Sequence, residues 1–214
     1  MCFIGGTCTR MLYGTSRFSE DLDFDNFALT INEFSSLSNY VKKELELNGY
    51  EVEIKIVSKK AFRCYVKIPK LLLEEGLTNF SNEKIIIQIA SESQGYDYKS
   101  QKFLVNEFEV FTHILTAPSS ILLSQKLWAI LNRKVLKGRD LYDVTFLYSF
   151  TKPDFNYLKF KANIENSANL KEALIKKLKN ANLNKLAKDV EPFLINSSEI
   201  KRILNFKDFV KAIK

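Results

Sequence analysis

The sequence has a single histidine, His113, and only three cysteines, Cys2, Cys8 and Cys64, among 214 residues. One imidazole excludes a zinc site built on paired histidines, and the thiols share none of the spacings that hold a metal. So sparse and odd a set also fits a reduced cytoplasmic protein with incidental thiols rather than a disulfide scaffold. No apolar run is long enough to cross a bilayer, and the first residues lack the shape of a signal peptide. Internal repeats and low-complexity linkers are missing too. What is present is ordinary for a globular protein: 46% hydrophobic and 27% charged residues, in a length that allows one large domain or two small ones.

Charge is unevenly placed. Residues 1–150 carry 18 basic and 18 acidic side chains, whereas residues 151–214 carry 14 and 7, which gives the whole net charge of +7. A basic tail is either a solvated, lysine-rich helical surface or a surface that neutralises nucleic-acid phosphates.

Periodicity divides the chain in the same way. Cys2–Gly5 reads as a short strand ending in glycines, and Thr7–Tyr13 as a short helix with Thr7 as its N-cap and Gly14 as its stop. Residues 20–27 alternate as a strand, 31–47 have helical spacing, and 50–57, 62–68, 85–89 and 107–115 read as further strands. After Pro118 the pattern turns helical, first over 119–133 and 140–150, then over nearly all of 153–214 with Asn-rich joints. The expectation is a mixed α/β domain over 1–117 and a helical domain over 118–214.

The chemistry concentrates near the N-terminus. Glycines after a strand let the backbone approach a ligand, and a helix starting beside them favours an anion. Gly5-Gly6-Thr7 is therefore a candidate phosphate cradle, although the lysine of a Walker-type loop is missing after the glycines. In a strand, Asp21, Asp23 and Asp25 would point to one face while Leu22 and Phe24 pack on the other. Neighbouring carboxylates repel and call for a cation, and oxygen ligands suit Mg²⁺ held together with substrate phosphates. The bland alternative is an exposed edge strand with solvated acids. The thirteen residues between Thr7 and Asp21 suffice for a helix and a returning strand. That would set a phosphate-favouring turn beside a metal-favouring strand, the pairing that phosphoryl transfer needs.

Gly5-Gly6-Thr7, then Arg10, then Arg17-Phe18-Ser19-Glu20-Asp21-Leu22-Asp23-Phe24 closely resembles the first motif of the AbiEii/AbiGii abortive-infection toxins, of the DNA polymerase β-like nucleotidyltransferase superfamily. Lys126-Leu127-Trp128-Ala129, Arg133 and Gly138-Arg139-Asp140-Leu141-Tyr142-Asp143 are similar to the family's later helix motifs. The resemblance covers roughly residues 3–150. It implies an α+β nucleotidyltransferase-like domain, with a mixed sheet and flanking helices, followed by a helical domain, with the site in a cleft between them. By resemblance, Gly5, Gly6 and Thr7 hold nucleotide phosphates and Asp21 and Asp23 bind Mg²⁺ or Mn²⁺. Lys126 reaches the triphosphate of an NTP, GTP being favoured. Asp140 acts near the nucleotide or positions the site. Arg10, Arg17 and Arg139 offset phosphate charge. Asp25 falls outside the motif and reads as a bystander.

On its helix Lys126 has Leu122 and Ile130 four residues to either side, so it needs an anionic partner or must snorkel. Tyr142 reads as a packing aromatic, and Arg133 and Arg139 could equally serve surface ion pairs. Two departures stand out. The superfamily's third carboxylate falls on the strand at 84–89, where Gln88 can neither take a proton nor bind a metal as strongly; Glu92 could replace it only if that strand runs on. The helical segment that family members carry before the first strand is not in this sequence, and its lack is expected to expose apolar sheet surface or invite dimerisation. The resemblance implies nucleotidyl transfer to RNA, tRNA included, or to a protein hydroxyl, by a toxin with a cognate antitoxin and no membrane partner. The alternatives are a catalytically silent nucleotide-binding protein of the same fold and a basic nucleic-acid-binding helical protein.

Overall fold

The computed structural model describes residues 1–107 and 109–214, with Glu107 described by its backbone alone. The expected strand over 107–115 includes Phe108, which lies outside the described residues. Two compact units emerge: Met1–Cys8 with Glu20–Asp97, and Thr9–Ser19 with Tyr98–Lys214. Strands give way to helices near the expected boundary at 117/118, between Thr116 and Ser119, but the units divide elsewhere and residues 9–19 belong with the second.

The first unit holds β1 (Cys2–Ile4), the start of α1 (Gly5–Tyr13), β2 (Leu22–Asp25), α2 (Ile31–Leu47), β3 (Glu53–Ser58), β4 (Phe62–Pro69), α3 (Leu71–Glu74) and β5 (Lys84–Glu92). Its five strands run in the order β3-β4-β5-β2-β1, with β2 and β5 parallel and the other pairs antiparallel. The sheet is therefore mixed, and its parallel pair is joined by the long crossover that parallel neighbours require.

Alternation along these strands sorts the side chains into two faces. Cys64 and Val66 of β4 are buried with Phe34 of α2 and Val52, and Ile54, Ile56, Ile87 and Ile89 pack against them. The intervening residues, Lys55, Arg63, Tyr65, Lys67, Gln88 and Ala90, point to the opposite face. The covering helix α2 spans the length its periodicity predicts. It begins with a capping box: Thr30 accepts from the Glu33 amide while Glu33 accepts from the Thr30 amide.

Several boundaries differ from expectation, three of them in the elements that carry the glycine turn and the aspartates or pair with them. Thr7 is not an N-cap, because α1 already begins at Gly5; the positive φ of Gly5, 82°, lets the chain turn from strand to helix with no intervening loop. The second strand is limited to 22–25. The strand expected over 85–89 runs from Lys84 to Glu92, because it pairs with β4 along its length and with β2 at its end.

The second unit opens with the end of α1, which Gly14 stops at a φ of 69°. It continues with the hairpin β6 (Gln101–Glu107) and β7 (Val110–Thr116), where a single strand was expected. Seven α-helices follow among the described residues: α4 (Ser119–Asn132), α5 (Gly138–Leu147), α6 (Phe155–Ala162), α7 (Ser167–Leu178), α8 (Leu183–Lys188), α9 (Lys201–Leu204) and α10 (Phe206–Ala212). The asparagines at the joints have a local cause. Asn166 and Asn182, like Asp154, accept a backbone amide in the first turn of α7, α8 and α6 respectively. The helices close on Leu122, Leu127, Ile130, Leu141, Leu174 and Phe206, all buried.

Not all the basic charge of this unit faces solvent freely. Lys177 donates to the Arg133 carbonyl at the end of α4, 2.6 Å away, and Lys171 donates to the Lys211 carbonyl near the end of α10. Both ammonium groups sit where a helix ends in unsatisfied carbonyls and negative partial charge. Among the described residues no helix is long and apolar enough to cross a membrane.

Candidate functional site

In the first unit the glycine turn and the aspartates meet. Ile4, the last residue of β1, lies opposite Asp23 of β2, so the next residue, Gly5, abuts the Asp23 side chain. A β-carbon at Gly5 would stand 2.5 Å from Asp23 Oδ2 and 2.9 Å from Asp23 Cβ. Only glycine fits there without displacing the carboxylate, and the start of α1, its electropositive end, comes against that group. Two residues on, Thr7 Oγ1 donates to the Asp21 carbonyl at 2.5 Å. That bond ties the first turn of α1 to the residue just before β2. Gly6 is buried, while Asp21 and Asp23 are partly accessible.

Asp25 is different. It is buried, and its Oδ1 accepts from the Gln94 amide at 2.9 Å, anchoring the chain that leaves β5. In the parallel register Asp23 is level with Ala90 and Asp25 with Glu92. Gln88 lies two residues before Ala90 on the same face, and Glu92 two residues after it. Among the described residues no three His, Cys, Asp or Glu side chains gather closely enough to hold a metal ion. Asp21 and Asp23 suit a cation that takes one or two carboxylates and completes its shell with phosphate oxygens and water.

The second unit contains a buried ionic cluster. Asp140 and Asp143 are three apart on α5 and share its buried face. Asp143 is 0% exposed. Arg17 grips it in a two-pronged contact, Nε to Oδ1 at 2.9 Å and Nη2 to Oδ2 at 3.1 Å, and Lys126 Nζ lies 2.7 Å from Oδ2. Burial pushes the Asp143 carboxyl up, but Lys126 and Arg17 outweigh it and hold the group below the usual carboxylate range. Asp140 stands 3.9 Å from Lys126 Nζ and 2.9 Å from Arg133 Nε, the latter without hydrogen-bond alignment. Three cations therefore surround two carboxylates.

Arg17 is 4% exposed, and its Nη1 donates to the Phe18 carbonyl at 2.8 Å. Residues 16–18 are pinned by the chain at 193–195, through Phe18 N to Phe193 O at 2.7 Å and Ile195 N to Ser16 O at 2.9 Å. The Arg10 guanidinium lies over the Phe18 ring, 4.6 Å from its centroid. Arg139 is exposed. Tyr142 is enclosed, its hydroxyl bonded to Thr15, Ser16 and Glu199, as a packing aromatic should be. Gly138 permits the approach of α8, since a β-carbon there would collide with the Leu186 carbonyl.

Sequence reasoning assigned no role to Asp143. The usable signal was its spacing of three from Asp140 on one helix, together with buried-face neighbours Leu141 and Val144, which demands cationic partners.

No curated protein matches the chain in sequence. Two solved structures from Helicobacter pylori share its fold. JHP933 aligns with a TM-score of 0.57 at 19% identity over 98% of this chain and 82% of its own. A protein named only as a candidate nucleotidyltransferase aligns with a TM-score of 0.60 at 20% identity, over 99% and 84%. The family described as nucleotidyl transferase AbiEii toxin, type IV toxin–antitoxin system, matches residues 1–211. With the first-motif glycines set against Asp23 and the later-motif Lys126 beside Asp140 and Asp143, the chain belongs to the AbiEii family of nucleotidyl transferase toxins.

Proposed function

We propose that this protein transfers a nucleotidyl group from an NTP to a hydroxyl on RNA, tRNA included, or on a protein, and that it acts in the cytoplasm as the toxin of a pair with a cognate antitoxin. The observation that carries the reading is the contact of Gly5 with Asp23. It brings an anion-favouring helix start and a cation-favouring carboxylate together in one unit.

In this reading the backbone at Gly5, Gly6 and Thr7 holds the NTP phosphates, with GTP favoured by resemblance alone. Asp21 and Asp23 hold Mg²⁺ or Mn²⁺, and the metal, when bound, neutralises phosphate charge and lowers the pKa of a coordinated hydroxyl. Lys126 supplies positive charge to the triphosphate. Asp143 orients it, and Asp140 shares the same ammonium. Arg17 acts through Asp143, since its guanidinium is enclosed. Arg10 and Arg139 remain as cations available to phosphate. The acceptor oxygen forms a bond to the α-phosphorus, pyrophosphate leaves, and the hydroxyl proton passes to a base. Glu92 is the carboxylate of β5 that could receive it, because β5 extends that far on the face of Asp23.

The test is incubation of the purified protein with labelled NTPs, Mg²⁺ and cellular RNA and protein. Label should enter one acceptor class with wild type and be lost with Asp21→Ala/Asp23→Ala. Equal labelling by both proteins, or none by either, overturns the reading. Gln88 beside Ala90 supports a second reading, a silent nucleotide-binding protein, which predicts NTP binding by calorimetry without transfer.

A further inference from the structure

The face of β3, β4 and β5 opposite α2 is basic, and its residues line up in rows across the strands. One row reads Val57, Arg63, Ala90, Asp23. The next reads Lys55, Tyr65, Gln88. A third reads Glu53, Lys67, Ile86. Directly opposed side chains on adjacent strands lie side by side, so Tyr65 is flanked by Lys55 and Gln88, with Arg63 and Lys67 two residues to either side on its own strand.

Three features distinguish this face from an ordinary solvated sheet surface. Lys55 and Arg63 have no ion-pair partner among the described residues. Lys67 lies between Ile86 and Glu53, and Glu53 is shared with Lys84, each of its two oxygens being 2.9 Å from Lys84 Nζ. The apolar members are accessible as well, Ile86 being 52% exposed and Tyr65 only partly buried. The row of Arg63 then leads to Asp23 across Ala90, which offers no side chain beyond its β-carbon. Two strand spacings, about 10 Å between α-carbons, separate the guanidinium-bearing residue from the carboxylate.

We propose that this face docks a single-stranded polynucleotide, the acceptor strand of the reaction, with its terminal hydroxyl toward Asp21 and Asp23. Unpaired cations on a sheet with an accessible aromatic between them are what single-strand recognition uses: phosphates meet the cations and bases stack on the ring. Arg63 contacts the phosphate nearest the end, across Ala90. Lys55 and Lys67 follow the backbone, and Tyr65 stacks a base. An acidic polypeptide would satisfy the cations but would leave Tyr65 without a stacking partner. The proposal rests on the nucleotidyltransferase reading for the direction of the strand, but not for the binding itself.

The experiment is fluorescence anisotropy of a labelled 12-nucleotide single-stranded RNA with the full chain, without NTP, at several salt concentrations. Arg63→Ala/Lys67→Ala is expected to weaken binding tenfold or more and to lower the log–log salt slope by roughly 1.4, about 0.7 for each phosphate no longer neutralised. Tyr65→Ala is expected to weaken it roughly fivefold or more at unchanged slope, and Tyr65→Phe to restore it. Unfolding curves establish that the variants fold, and calorimetry with NTP checks that the nucleotide site is intact. Unchanged RNA affinity in all these variants overturns the proposal, as does equal displacement by polyglutamate with no effect of Tyr65→Ala. RNA binding through this face without nucleotide transfer removes the enzymatic reading and leaves the surface standing. Transfer to protein only, with no RNA affinity, does the reverse.

Discussion

The Lys126 ammonium lies 2.7 Å from a carboxylate oxygen of Asp143, on a side chain with no exposed surface. The lysine is thus held by an anion that the buried face of α5 presents and that Arg17 shares. A lysine fixed in this way loses less freedom on meeting a phosphate than one extended into water.

Removing that anion should be costly. Asp143→Ala leaves Arg17 and Lys126 enclosed without their partner, and breaking a buried pair of this kind costs about 3–5 kcal/mol. Urea unfolding should show a loss of stability of that order. Asp143→Asn, which keeps the shape and one acceptor, should lose less.

The same residue fixes a pH dependence. Its carboxyl titrates lower in the folded protein than in the unfolded chain. The stability it contributes is therefore fully present above the unfolded value, about 3.9, and is lost as pH falls through the lower folded value. Wild type should lose stability progressively below about pH 4, whereas Asp143→Asn should show a shallower acid limb in unfolding measured from about pH 2 to 7.

Gly5→Ala should damage binding more than folding. An alanine at a φ of 82° costs about 1–2 kcal/mol from backbone strain, and its β-carbon must also displace the Asp23 carboxylate. Calorimetry with NTP and Mg²⁺ should register little or no heat, while the thermal transition falls by at least the several degrees that about 1–2 kcal/mol of strain implies for a chain of this size.

Two variants locate the proton acceptor. Glu92→Gln is expected to lower transfer by about 10² or more with nucleotide affinity retained. Gln88→Ala should change transfer little. The reverse outcome would move the proton acceptor away from the end of β5.

Local signals carried much of the fold. The helix over 31–47 was legible to the residue because Phe34, Leu45 and the Asn48-Gly49 stop all agree, and Thr30 with Glu33 adds a capping box. The start of α1 was not legible, because a positive φ at Gly5 depends on how closely β2 passes, and that is a tertiary fact. The β6–β7 hairpin was half hidden: Gln101–Glu107 mixes polar and apolar residues without a marked turn signal, and its partner β7 supplies the missing bonds. Asp21, Asp23, Lys126 and Asp140 were singled out by motif. Asp143 stood in the same motif without a role, since only packing against Arg17, more than a hundred positions earlier, reveals what it does.

The lysines near the ends of α4 and α10 bear on how this protein meets a polyanion. Lys177 and Lys171 are committed to the Arg133 and Lys211 carbonyls. Each is bound to a dipole of the protein and is less free to replace a cation condensed on a polyanion than a fully hydrated lysine. A count of basic residues in 151–214 therefore overstates the number of ions displaced on association. A salt titration of polynucleotide affinity should report fewer released counterions than the fourteen basic side chains suggest, because some of that charge already works as mortar between helices.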